Sequence, residues 1–126
     1  MMQTTRYPTT KPFPFSDMVA SQGFLFLSGQ VSMTAEGQPV YGSVMEQTNN
    51  IMHAVTKTLQ RAGANLNDVI RVQVWLSDMT HFAEFNQAYS AFFHEGYPSR
   101  TVTSSTLAFG MDVEIEVQAV NPGHNA

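Results

Sequence analysis

SVMEQTNNIMHAVTKTLQRAG, residues 43–63, and VIRVQVWL, residues 69–76, together decide the fold class. In the first stretch Ser43 and Glu46 form a capping box, in which each side chain satisfies the other residue's free backbone N–H. Val44, Ile51, Met52, Val55 and Leu59 then recur at helical spacing. Gly63 closes the helix, as a residue free to adopt positive φ. Gln47, Asn50, Lys57 and Arg61 are expected on the opposite, wet face. The second stretch alternates: Ile70, Val72, Val74 and Leu76 point one way, and Val69, Arg71, Gln73 and Trp75 the other. A helix that must bury one stripe, next to a strand with one apolar face, predicts an α+β layer.

The same signals extend outward. Upstream, Pro8, Pro12 and Pro14 fix φ and lack N–H donors, so residues up to Phe15 are expected to be an extended lead-in. Phe24 to Val31 reads as a buried strand, with Met18 to Ala20 pairing with it across a turn at Gln22-Gly23. Glu36 to Pro39 is a turn, with a hairpin arm around Val40. Downstream, a second helix is expected from about Thr80 to His94, with Phe82, Phe85, Tyr89, Phe92 and Phe93 on one stripe and Gly96 and Pro98 behind it. Strands at Arg100–Ser105 and Val113–Val120 follow. The expected order is ββ(β)αβαββ, with two helices on one face of a sheet.

The other sheet face carries Arg71, Gln73, Trp75, Glu114, Glu116 and Gln118. Two readings stand: a solvated face, as antiparallel sheets often have, or one that meets other subunits or lines a polar cavity.

Composition bounds the function. A chain of 126 residues fits a single domain over 1–126, with residues 1–15 as lead-in and 121–126 as a fraying tail. The net charge is −4, and the six Lys and Arg stand singly. Nucleic-acid binding normally needs a basic stripe, so that partner is not expected. No apolar run approaches a membrane span. The absence of cysteine excludes disulfides, zinc–thiolate sites and thiol nucleophiles. His53, His81, His94 and His124 lack metal-ligand spacing, so no metal site is expected. Residues 1–6 lack the apolar core of a secretory signal, and a cytoplasmic location is the default.

Several stretches resemble, in order, the RidA (YjgF) family of reactive-intermediate deaminases. They are Phe26-Leu27-Ser28-Gly29-Gln30, Glu46-Gln47-Thr48, the link from Ala62 to Val69, and Leu76-Ser77-Asp78-Met79. The helix Phe82 to Tyr89, Pro98-Ser99-Arg100-Thr101 and Val113-Glu114-Ile115-Glu116 complete the set. The likeness runs from about residue 14 to residue 120. It implies a chorismate-mutase-like fold, a homotrimer with sites at the subunit clefts, and no cofactor or metal. It also implies hydrolysis of small 2-imino and 2-enamino acids, such as 2-aminoacrylate/2-iminopropanoate and 2-iminobutanoate, to 2-keto acids and ammonia.

The resemblance assigns roles as well. Arg100 stands where the family grips the substrate carboxylate, a task for which a planar guanidinium fork is suited; the residues alone favour a surface Arg paired with an acid. Glu114 takes the place of the glutamate that positions water. Glu116 shares its face, and only the motif register separates the two. Gly29 would offer a backbone N–H, Ser28 a contact, and Val102 a carbonyl, where many members have Cys. Asn86 and Tyr89 match positions that shape the site, although Asn86 equally reads as a surface amide and Tyr89 as core. Phe15 replaces a family Tyr in the segment that closes over the site. That change removes a hydroxyl, and suits either a different substrate or a slower reaction. A deaminase of a larger enamine acid and a non-catalytic binder of small carboxylates are the alternatives on this fold. An endoribonuclease is a further one, against the acidic balance.

Overall fold

A computed structural model describes residues 3–124. Six strands and two α-helices occur in the order β1 (Thr5–Pro8), β2 (Ser16–Ser21), β3 (Phe24–Leu27), α1 (Val44–Gln60), β4 (Val69–Leu76), α2 (Phe82–Ser90), β5 (Ser99–Ser104) and β6 (Val113–Val120). They form one mixed sheet ordered β1-β2-β3-β6-β4-β5. Only β4 and β5 run parallel, joined across α2. Helix α1 carries the chain from β3 to β4 and leaves a one-strand slot between them, which β6 fills antiparallel to both.

The α1 termini follow from local chemistry. Ser43 Oγ accepts from Glu46 N and the Glu46 carboxylate accepts from Ser43 N, so the capping box is complete. At the other end Ala64 N donates to Leu59 O and Gly63 N to Gln60 O, with Gly63 at φ +76. This is Schellman closure, and it needs the left-handed conformation that glycine adopts without strain. Ile51, Met52, Val55 and Leu59 are fully shielded against the sheet. Each such side chain contributes roughly 1.5–3 kcal/mol by leaving water. The facing strands supply Val72, Val74 and Leu76 from β4 and Val113, Ile115 and Val117 from β6.

Several expectations need correction. The lead-in is not uniformly extended: Thr5–Pro8 pairs with β2 as an edge strand, where the missing N–H of Pro8 is harmless, and residues 10–15 bend. Gln47 is only 2% exposed, because its amide bonds Gly42 O and both the backbone N–H and carboxylate of Asp112. At the start of β4 the register shifts between Val69 and Arg71, so Val69 is buried and Ile70 faces out. The second helix is shorter than its aromatic stripe: a 3₁₀ turn at Met79–His81, capped by Asp78, precedes α2, and Phe82 is exposed.

Asn121 N donates to Gly23 O and His124 N to Asn121 O; residues 125 and 126 lie outside the described part. The β2–β3 hairpin turns through Gln22 and Gly23, both at positive φ, as a tight two-residue connection requires.

No helix covers the second face of the sheet. Paired registers put Arg71, Gln73, Trp75, Glu114, Glu116 and Gln118 there, together with Phe24 and Phe26 of β3, each 41% exposed. The expected buried strand at Phe24–Val31 is therefore buried on one side only, and ends at Leu27. Among the described residues no helix is long and apolar enough to cross a membrane.

Candidate functional site

The site residues gather in two clusters on opposite faces of the sheet. On the helix-covered face, edge strand β5 places Arg100 under α2. Its guanidinium lies over three rings, with centroids 5.1 Å away at Tyr89 and 5.8 Å at both Phe82 and Phe85. Nη1 donates to Asn86 Oδ1 at 2.9 Å. No carboxylate within ion-pair distance of Arg100 occurs among the described residues, where Arg61 pairs with Asp17. The surface-ion-pair alternative therefore fails. What remains is a half-buried cation on an aromatic cradle, with most of its N–H donors unused.

A cavity of about 360 Å³ opens beside it, lined by Asn86, Tyr89, Ser90, Tyr97, Pro98 and Arg100. The Tyr89 hydroxyl is buried, with no hydrogen-bond partner among the described residues. Burial pushes its pKa up to about 12, against the opposing pull of Arg100, so it remains a proton donor. An orphaned hydroxyl beside a cation suits an anionic ligand that supplies the missing acceptor. Asn86 positions Arg100. Tyr89 belongs to both core and cavity wall.

The second cluster is on the helix-free face. A Cβ at Gly29 would collide with the Glu114 carboxylate, so the glycine makes room for that side chain. Burial, then the neighbouring charge of Glu116, raises the Glu114 carboxyl above its ordinary value of 4.5. Trp75 is its cross-strand neighbour, and Glu116 pairs instead with Gln73. Contact with Gly29 and the pKa shift therefore favour Glu114 of the two acids. Ser28 Oγ donates to Ser16 O at 2.6 Å, and Ser28 N donates to Asp17 O. With its proton committed, the Ser28 hydroxyl can only accept from a ligand. The same bonds fix the chain immediately after Phe15, whose exposed ring lies 6.4 Å from Phe13 in a stacked arrangement.

Val102 stands between the clusters on the outer edge. Ser105 N donates inward to Leu76 O, and strand alternation turns the backbone groups of Val102 away from β4. Phe82, Phe85 and Tyr97 were not foreseen as site residues. For Phe82 and Phe85 the signal was the aromatic stripe, which reads as core until an arginine is found against it. No group of three or more His, Asp or Glu side chains able to hold a metal occurs among the described residues.

The sequence and the fold match known proteins. The family described as Endoribonuclease L-PSP matches residues 8–121, and the chain belongs to this RidA/YjgF/RutC family. It is 35% identical over 107 residues to the mitochondrial protein MMF1 of Saccharomyces cerevisiae, covering 84% of this chain and 74% of that one. It is 32% identical over 122 residues to the 2-iminobutanoate/2-iminopropanoate deaminase of Mus musculus, covering 95% and 90%. The crystal structure of yeast Mmf1 superposes with a TM-score of 0.88 at 31% identity, covering 94% of this chain and 99% of that one.

Proposed function

We propose that this protein hydrolyses small 2-imino and 2-enamino acids to 2-keto acids and ammonia, at sites completed between the subunits of a homotrimer. The observation that carries the reading is Arg100: an unpaired guanidinium, oriented by Asn86 and bedded on three rings at the mouth of a cavity. Such a fork binds a carboxylate through two parallel hydrogen bonds. Glu114, with its raised pKa, suits the second task. It holds a water against the iminium carbon, accepts a proton as the C–O bond forms, and returns one to the nitrogen. The carbinolamine then collapses with cleavage of its C–N bond; water is consumed and ammonia leaves. Each atom is accounted for without a cofactor.

Arg100 and Glu114 point to opposite faces of one sheet, so a single chain does not bring them together. A neighbouring copy does so if its edge strand β5 meets the helix-free face around Glu114 and Gly29. The exposed Phe24 and Phe26 give that face the apolar content an interface needs. The mouse relative's name supports the substrate class. The aromatic lining and the exposed Phe15 also favour a second reading, a bulkier enamine acid. The acidic charge balance argues against RNA as substrate.

The test generates 2-iminobutanoate in situ from threonine with a dehydratase and traps surviving imine with semicarbazide. The expected result is less trapped product with the wild type and no suppression with Arg100→Ala. Folded wild-type protein that fails to suppress trapping overturns the small-imine reading. Binding of a small keto acid without turnover would then indicate the non-catalytic alternative.

A further inference from the structure

A cavity of about 510 Å³ shares no lining residue with either cluster. It lies between the bent segment after β1, the loop that follows β3, and the outward face of α1. Lys11, Lys57 and Arg61, half of the six Lys and Arg in a chain of net charge −4, line it, together with His53. Asp17 is the acid in its wall, and it is already engaged by Arg61 at 2.8 Å. Neither Lys11 nor Lys57 has an acid partner among the described residues. Lys57, in the last turn of α1, and Arg61, at its C-cap, are spaced four residues apart, where like charges repel rather than support a helix.

A second observation points to a ligand. Gln30 is 8% exposed and lines this cavity. Its backbone N–H and C=O both bond Ile115. Its side-chain amide has no hydrogen-bond partner among the described residues, and it is not sealed from solvent as the Tyr89 hydroxyl is. Gln30 is thus a nearly buried polar residue in the cavity wall, with its amide unpartnered among the described residues. A built-in polar group deep in the wall, with cations around the rim, is the arrangement of an anion site.

We infer that this groove binds a small phosphate-bearing anion, with Lys11 and Lys57 as its point charges and the Gln30 amide as the donor at its base. Ammonium groups on flexible stems fit a compact multivalent phosphate, whereas the rigid fork of Arg100 fits a planar carboxylate. Lys11 and Phe15 belong to the same short segment, so an occupied groove also holds that segment against α1. The inference does not depend on the deaminase reading.

The test is calorimetric titration of the intact protein with inorganic pyrophosphate and, separately, inorganic phosphate, at matched ionic strength. Saturable binding is expected, tighter for pyrophosphate and weakening as salt is raised. Lys57→Gln and Gln87→Glu lower the net charge equally, but only Lys57 lines the groove. Loss of one charge-assisted contact predicts about tenfold weaker binding for Lys57→Gln. Gln87→Glu should bind as the wild type does. Gln30→Met, checked for an unchanged melting temperature, should also lose affinity. No saturable binding overturns the inference. So does equal weakening by Lys57→Gln and Gln87→Glu, which would mean attraction to net charge alone.

Discussion

If Arg100 and Glu114 act together only across a subunit boundary, two inactive variants must restore each other when mixed. Arg100→Ala removes a bidentate charge-assisted contact worth about 3 kcal/mol, so its rate should fall on the order of 100-fold. Glu114→Gln leaves the shape but removes the proton acceptor, and should be similarly impaired. In oligomers assembled from equal amounts of the two, each site needs Arg100 from one chain and Glu114 from the next. Each is intact half the time, so roughly a quarter of sites are wild type, whatever the size of the closed ring. Co-expression with two tags, or joint unfolding and refolding, provides the mixture, and semicarbazide trapping provides the rate. Recovery to about a quarter of the wild-type rate is expected. A mixture no more active than its components, with mixed oligomers verified, refutes the shared site. Both side chains would then have to meet within one chain, against the sheet geometry.

Three further outcomes follow from the same structure. Gly29→Ala drives a methyl group into the Glu114 carboxylate; activity should fall at least tenfold and stability by about 1–3 kcal/mol, read by denaturant unfolding. The Glu114 carboxyl is raised in the folded chain, so the stability it permits is complete below its ordinary 4.5 and is lost as pH rises through the folded value. Glu114→Gln should remove that decline, which melting curves across the pH range will show. Tyr89→Phe deletes a hydroxyl that has no partner among the described residues. Thermal stability should hold or rise slightly, while KM rises if substrate supplies the missing acceptor; a stability loss above about 1 kcal/mol would mean the hydroxyl is satisfied after all.

The parts legible in the sequence are those with local causes. The Ser43–Glu46 box and the Gly63 closure fixed α1, and strict alternation fixed the bounds of β4 and β6. Partners distant in sequence undid the rest. Gln47 lies on the polar side of the helical wheel, and its burial depends on Asp112, 65 residues away. The extra residue at Ile70 is defined only against β6, and no pattern within β4 reveals it. The resemblance selected Arg100 and Glu114, but not that they face apart. That required the parallel pairing of Val72 with Arg100 and the antiparallel pairing of Trp75 with Glu114. Phe82 and Phe85 were visible as a stripe, and only the placement of β5 under α2 gave them a cation to hold.

The placement of β6 bears on how the chain matures during synthesis. The strand at the middle of the sheet is the last in chain order, and it pairs Leu25 with Ala119. Until residues 113–120 leave the ribosome, β3 and β4 each lack a neighbour, and α1 has only part of the surface it must cover. The domain therefore cannot fold from its N-terminus as it emerges. It must wait with its apolar stripes exposed, then close a loop spanning most of the chain, a non-local step that slows folding and favours aggregation. Nascent chains stalled before β6 should be open to protease and bound by chaperones. Chains stalled with β6 clear of the exit tunnel should resist cleavage.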